Sequence, residues 1–243
     1  MKQRFFEIKE NTALTSNVYL MRLAGDTEDI REGQFVNILI DGLYLRRPIS
    51  VCDCTDGELT LIYKVVGKGT EKMAQMKSGK LDILTGLGNG YDTSTAGDKP
   101  LLLGGGVGVP PLYLLAKKLI AEGKQVTVVL GFNTKDEIFY ENEFKALGAT
   151  VYVTTVDGSY GIKGFVTDAM KDIEYTYFYT CGPEPMLKAI YNASVTEGQL
   201  SFEERMGCGF GACMGCSCKT IYGNKRICKD GPVLRKEEIL WQK

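Results

Sequence analysis

Residues 101–111 read Leu-Leu-Leu-Gly-Gly-Gly-Val-Gly-Val-Pro-Pro. Three consecutive leucines suit a strand buried on both faces, the kind found in parallel sheets covered by helices. The glycines after them make a loop whose backbone can approach a ligand closely, and Pro110 or Pro111 carries the fixed φ that opens a helix. A helix N-terminus placed there offers free amides and a positive dipole end to a pyrophosphate. Gly104, Gly106, Gly108 and Pro111 therefore predict a dinucleotide site at the head of an α/β unit, with a plain tight turn as the alternative.

Working outward, apolar runs begin again near positions 125, 150 and 175, with helical candidates after each strand. Strands alternating with helices predict βαβ units and a parallel sheet, with Gly123 and Gly148 where helix C-caps belong. Upstream, RFFEIKE, NVYLMRL, QFVNILI, PISVCDC and ELTLIYKVV form short β-rich runs between residues 4 and 66. Runs at this spacing predict an antiparallel sandwich or barrel, interrupted by one helix near Thr70–Lys77. Cys52 and Cys54 alternate on one of these runs and are expected to share a face as small buried hydrophobes. The polar stretch at 91–99 marks a boundary, and the texture changes again from Ser201. The fold class expected is multi-domain: an antiparallel β-barrel over 1–95, an α/β parallel-sheet domain over 96–200 and a small cysteine-bearing tail over 201–243.

Composition limits the chemistry. The 243 residues carry 29 Lys+Arg against 30 Asp+Glu, so there is no basic footprint for nucleic acid or an anionic membrane. Histidine is absent, which removes imidazole-dependent hydrolysis and every His-containing zinc site. The opening MKQRFFEIKE lacks the apolar core of a signal peptide, and no stretch is long enough to span a bilayer. A cytoplasmic protein is expected, in which thiols stay reduced unless a metal holds them.

Five of the eight cysteines fall between residues 208 and 228. Cys208-x4-Cys213-x2-Cys216, with Cys228 beyond, has the spacing of a plant-type [2Fe-2S] centre. The intervening glycines let a short loop turn its amides towards the sulfurs. Cys208, Cys213, Cys216 and Cys228 are the expected ligands; Cys218 is a spare that could replace Cys216 in another register. A four-cysteine zinc site is the alternative, though such sites normally show two close CxxC pairs.

Other stretches point to nucleotides. Arg46-Arg47-Pro48-Ile49-Ser50 joins two guanidinium forks to a fixed backbone and a hydroxyl, a set suited to phosphate. Tyr63-Lys64-Val65-Val66-Gly67-Lys68-Gly69-Thr70 runs from a strand into a helix, a second candidate cradle. Taken alone, the two stretches read equally well as an arginine-bearing strand edge and an ordinary strand-to-helix turn, and together they suggest a second nucleotide cofactor. After the second strand of the α/β region, Asp136 could take a ribose hydroxyl, while only Lys135 is available for a 2′-phosphate, which leans towards NAD.

Together these motifs resemble the ferredoxin-NADP reductase-like proteins: Arg47-Pro48-Ile49-Ser50 resembles their flavin signature, Gly86-Leu87-Gly88-Asn89-Gly90 their flavin-side loop, Gly106–Pro111 their nicotinamide loop and Cys181-Gly182-Pro183 their last-strand motif. With the cysteine tail added, the whole chain is similar to the electron transfer subunits of type B dihydroorotate dehydrogenases. The resemblance implies FAD on the barrel, with Arg47 on its phosphates, Ser50 near the isoalloxazine edge, Ile62, Tyr63 and Lys64 along the flavin, and Gly69 and Thr70 at the pyrophosphate. It implies NAD(H) beside Cys181 and Gly182, and a heterotetramer, two of each chain, with an FMN-containing catalytic subunit. It also implies an electron relay in pyrimidine biosynthesis, with no catalytic base required in this chain. Two rivals stand beside it: the flavin and iron-sulfur subunit of another NAD(P)H-ferredoxin or sulfide-linked oxidoreductase, and a zinc-stabilised binding module.

Overall fold

A computed structural model describes residues 1–241. The N-terminal unit contains β1 (Lys2–Ala13), β2 (Val18–Ala24), β3 (Phe35–Ile38), β4 (Arg47–Thr55), β5 (Glu58–Lys64), helix α1 (Lys68–Gln75) and β6 (Lys80–Leu87). The six strands close an antiparallel barrel in the order β1-β2-β5-β4-β3-β6. Closure depends on β6, a strand beyond the five runs read from the sequence, which pairs with both β1 and β3. Its alternate residues Leu81, Ile83, Thr85 and Leu87 are buried, as expected for a strand with one face inward.

The second unit contains β7 (Pro100–Gly105), α2 (Pro111–Ala121), β8 (Thr127–Phe132), α3 (Glu141–Ala146), β9 (Thr150–Thr155), β10 (Ile162–Lys163), α4 (Val166–Met170), β11 (Tyr177–Cys181), α5 (Glu184–Ala193) and β12 (Gly198–Ser201). Gly123 and Gly148 adopt φ of 80° and 93° just beyond α2 and α3, the left-handed C-cap that glycine supplies. The tail adds the hairpin β13 (Ser217–Thr220) and β14 (Gly223–Arg226), the short helix α6 (Ile227–Asp230) and β15 (Val233–Arg235).

The second sheet runs β10-β9-β8-β7-β11-β12-β15, parallel except for β15, which lies antiparallel on β12. The tail is thus built into the sheet. Three cores follow from this arrangement. One fills the barrel, one joins Val18, Leu20, Cys52 and Ile62 of the barrel to Leu112 and Leu115 of α2, and the third lies on the other side of the sheet and includes Cys216 and Cys228.

Cys52 and Cys54 do not share a face. A bulge between Val51 and Asp53 shifts the phase of β4, so that Cys52 enters the core beneath α2 while Cys54 packs on the barrel core.

Candidate cofactor site

The dinucleotide loop and the Cys181 motif meet because β7 and β11 are neighbours, with Cys181 opposite Gly104. From β7 the chain goes to β8 on one side, while β11 lies on the other, so the loops flank a topological switch point at the carboxyl ends of the strands. A Cβ on Gly108 would lie 2.6 Å from the Cα of Gly182, and the carbonyl of Cys181 is closer still. Only glycine allows the two loops to cross here. Gly106, at φ of 53°, starts the short turn that leads to Pro111 and α2. Burial pushes the Cys181 thiol up to about 12, against a hydrogen bond with Ser201, so it is neutral at pH 7. At the end of β8, the Glu137 carboxylate accepts from the Asn133 amide and side chain at 3.1 and 2.8 Å, while Asp136 is exposed.

On the barrel, Arg47 reaches across to the start of α1, and its guanidinium occupies the space that a Cβ on Gly69 would fill. An arginine fork and first-turn helix amides therefore share one spot, a donor set that fits a pyrophosphate. Pro48, Ile49 and Ser50 follow along β4, all half-buried, and Ser50 stands opposite Phe35. The Thr70 hydroxyl is engaged within the turn itself. Its Oγ1 accepts from the amides of Val66 and Gly67 at 2.9 and 3.3 Å and donates to the Gly67 carbonyl at 3.0 Å, which shapes the turn that presents α1. Tyr63 points into the barrel, 2% exposed, and donates to Asn11 Oδ1 at 2.9 Å. Its neighbour Ile62 faces the core beneath α2, and Lys64 ends the strand half-buried. Of these three, Tyr63 can offer a ligand only its backbone.

The tail brings the four expected thiols together in two pairs. The amides of Ala212 and Cys213 donate to Cys208 Sγ at 3.2 and 3.5 Å, and the amide of Cys228 donates to Cys216 Sγ at 3.4 Å. Desolvation raises the Cys208 thiol, but the amides of Phe210, Cys213 and Ala212 and the Cys213 side chain outweigh it and bring the value down to about 6. Cys228 is pushed up to about 12, first by burial and then by the neighbouring Cys216 and Cys208 sulfurs. Among the described residues, no three Cys or acidic side chains converge on a single ion position. Two pairs of thiols suit a centre of two metal ions with two thiolates each, and amides aimed at a sulfur suit a thiolate ligand. Cys218 lies apart, on β13, where it lines a cleft.

That cleft, of about 830 Å³, is lined by Arg46, Arg47 and Pro48 of the barrel, Gly182 and Pro183 of the β11 loop, and Phe202–Met206, Cys218 and Trp241 of the tail. The aromatic residues of this third wall were not legible as site residues. Trp241 packs edge-on against Tyr191 and at a tilt against Phe202, at 5.5 and 5.4 Å, and nothing in a terminal tryptophan signals that neighbourhood. The Gly88-Asn89 loop, which resembles a flavin-side loop, is bonded instead to the tail at Gly231 and Val233.

Residues 203–240 match the family model described as the iron-sulfur cluster binding domain of dihydroorotate dehydrogenase B, and residues 102–192 match the oxidoreductase NAD-binding domain. A dihydroorotate dehydrogenase B (NAD(+)) electron transfer subunit from Fusobacterium nucleatum is 46% identical, covering 98% of this chain and 99% of that protein. The chain belongs to the dihydroorotate dehydrogenase B electron transfer subunit family. A second member, from a Geobacillus species, is 44% identical over 99% of both chains. Among solved structures, an NADH-dependent reduced ferredoxin-NADP oxidoreductase described for flavin-based electron bifurcation aligns with a TM-score of 0.88 at 31% identity, covering 97% of this chain and 90% of that one. The Malassezia yamatoensis flavohemoglobin, at 19% identity and a TM-score of 0.70 over 79% of this chain and 56% of that one, shares the fold. As a member of the electron transfer subunit family, the chain is an NAD-linked subunit of a redox enzyme whose catalytic partner is a separate subunit.

Proposed function

We propose that this chain takes electrons drawn from dihydroorotate on the FMN of a catalytic subunit, and passes them through a [2Fe-2S] cluster and FAD to NAD+, serving pyrimidine biosynthesis in the cytoplasm. The observation that carries the reading is the cleft, whose walls come from the Arg47 strand, the Cys181-Gly182 loop and the cysteine tail. When bound, nicotinamide exchanges electrons in pairs, an iron-sulfur cluster singly, and a flavin in either way.

The chain's own residues bind and align. Arg47 and the first turn of α1 hold the flavin pyrophosphate, and Ser50 borders its ring. Gly104, Gly106, Gly108 and Pro111 seat the dinucleotide phosphates, and Asp136 takes a ribose hydroxyl. Gly108 and Gly182 keep the nicotinamide approach free of side chains, beside a Cys181 thiol that burial keeps protonated. Cys208, Cys213, Cys216 and Cys228 would hold the iron-sulfur cluster. The exposed Phe210, Met214 and Tyr222 of the cysteine loop and hairpin offer the aromatic and methionine surface typical of a protein interface, and the catalytic subunit docks there to form a heterotetramer of two chains of each kind. No helix among the described residues is long and apolar enough to cross a membrane.

Co-purification with the catalytic subunit tests this directly. The expected complex contains FAD, FMN, iron and sulfide, and reduces NAD+ with dihydroorotate, whereas the isolated chain does not oxidise dihydroorotate. Dihydroorotate oxidation by the isolated chain would refute the assignment. The likeness to the ferredoxin-linked oxidoreductase favours one second reading, an electron transfer subunit for a ferredoxin-dependent partner. Reduced ferredoxin would then replace dihydroorotate as the donor.

A further inference from the structure

Strand β3 pairs with the strand that bears Arg47 and Ser50 and also touches the cysteine tail. Its residues Val36 and Ile38 fill the barrel, while Phe35 and Asn37 face the tail. Phe35 belongs to the core that contains Cys216 and Cys228. Asn37, 1% exposed, donates from Nδ2 to the carbonyl of Cys208 at 3.2 Å, across 171 residues of sequence. On the other side Asn37 stands opposite Pro48 of β4, and its carbonyl accepts from Arg46 Nη1 at 3.3 Å. Its Oδ1 has no partner among the described residues. A buried polar atom left unpaired is unfavourable and an apolar side chain would avoid it. What the amide contributes here is therefore its donor, held on the backbone of the first thiol residue. The approach is open because residue 209 is glycine, at φ of 77°, where a Cβ would collide with Asn37 Nδ2.

A second asparagine grips the other pair. The Asn89 amide donates to the Gly231 carbonyl at 2.6 Å, Nδ2 donates to the Val233 carbonyl at 2.7 Å, and Oδ1 accepts from the Val233 amide at 3.1 Å. These partners directly follow α6, which carries Cys228. Asp230, at the end of α6, accepts from the Arg226 amide at 2.9 Å and from its Nε at 3.0 Å, and Arg226 Nη1 donates to the Gly211 carbonyl in the cysteine loop at 2.8 Å. Glycine again permits the contact, since a Cβ on Gly88 would lie 2.6 Å from Pro232 Cδ and 3.0 Å from the Gly231 carbonyl oxygen.

We propose that Asn37 and Asn89 are positioning residues that fix the cluster against the flavin barrel, one asparagine for each thiol pair. The proposal rests on the reading that the barrel holds a flavin and the tail a cluster. Neither side chain touches a reacting atom. Each acts through the loop it holds, and together they set the span that electrons cross between the two cofactors.

The test uses Asn37→Ala and Asn89→Ala separately, in the full chain reconstituted with FAD, iron and sulfide. Both variants are expected to retain iron and to show wild-type bleaching of flavin absorbance by NADH. Subsequent reduction of the cluster, followed by its own absorbance, slows by roughly ten- to hundred-fold, the usual effect of losing a residue that orients a metal ligand. The electron paramagnetic resonance line shape of the reduced cluster changes in Asn37→Ala. Cluster reduction that keeps pace with flavin reduction in both variants would overturn the proposal, as would loss of iron from both, which would make the asparagines structural cement. Should one variant fail to fold, the other decides alone. Hydrogen exchange across residues 207–233 reads the docking with or without metal and should rise in both variants. A wild-type chain that binds no iron would refute the cluster reading, while unchanged exchange would refute the docking itself.

Discussion

At the scale of single residues, the chain puts ordinary side chains to two uses, binding and building, and the spacing of a motif does not separate them. Arg47 is placed to bind because its backbone is fixed in β4 and its guanidinium, which donates to the Leu45 carbonyl, lies over Gly69. Replacing it with alanine removes charge-assisted hydrogen bonds worth about 1.5–3 kcal/mol, so FAD retention measured by ultrafiltration should weaken roughly ten- to hundred-fold, with iron content unchanged. Thr70 and Tyr63 show why part of the site was hidden. Both resemble flavin contacts in sequence, yet the hydroxyl of one shapes the turn before α1 and the phenol of the other is spent on Asn11. Strand β5 is buried on both faces over five successive positions, so alternation could not say which way Tyr63 points. That the four thiols lie near one another was legible because their spacing within a short tail keeps them local.

At the scale of elements, strands and helices of the α/β unit were readable from apolar runs and terminal glycines. Strand β6 alternates as clearly as its neighbours, but its Thr85-Gly86 step interrupts the apolar pattern next to a glycine loop. Strand β15 has three residues and pairs with a strand 35 positions earlier, a long-range partnership that no local pattern announces. The contact between α2 and β4 is one of the joins between barrel and sheet, and two substitutions separate its components. Leu115 is fully buried there, so Leu115→Ala should cost about 2–5 kcal/mol in denaturant unfolding. Lys117 pairs with Asp53 at 3.0 Å but is 38% exposed, so Lys117→Ala should cost less than about 1 kcal/mol. The reverse ranking would mean that charge, and not burial, holds the units together.

At the scale of the whole molecule, the order of barrel, α/β unit and cysteine tail was legible. Their mutual placement was not, because it depends on contacts such as Asn37 to Cys208 between residues 171 apart. The tail lies where it can serve both neighbours, with its buried side on the sheet and Tyr222, 71% exposed, on its outer hairpin. Tyr222→Asp should abolish co-purification with the catalytic subunit while leaving NADH bleaching of flavin unchanged, because a charge in the dry centre of an interface is strongly unfavourable.

In the function proposed above, flavin and cluster in this one chain share electrons that a nicotinamide can supply. The most direct test is an anaerobic titration of the reconstituted chain with NADH, following flavin and iron-sulfur absorbance together. Bleaching of both, with the cluster signal lost in Cys208→Ser and the flavin signal kept, is the expected result. A wild-type chain whose flavin bleaches while its iron centre stays oxidised, or which carries no iron at all, would contradict it.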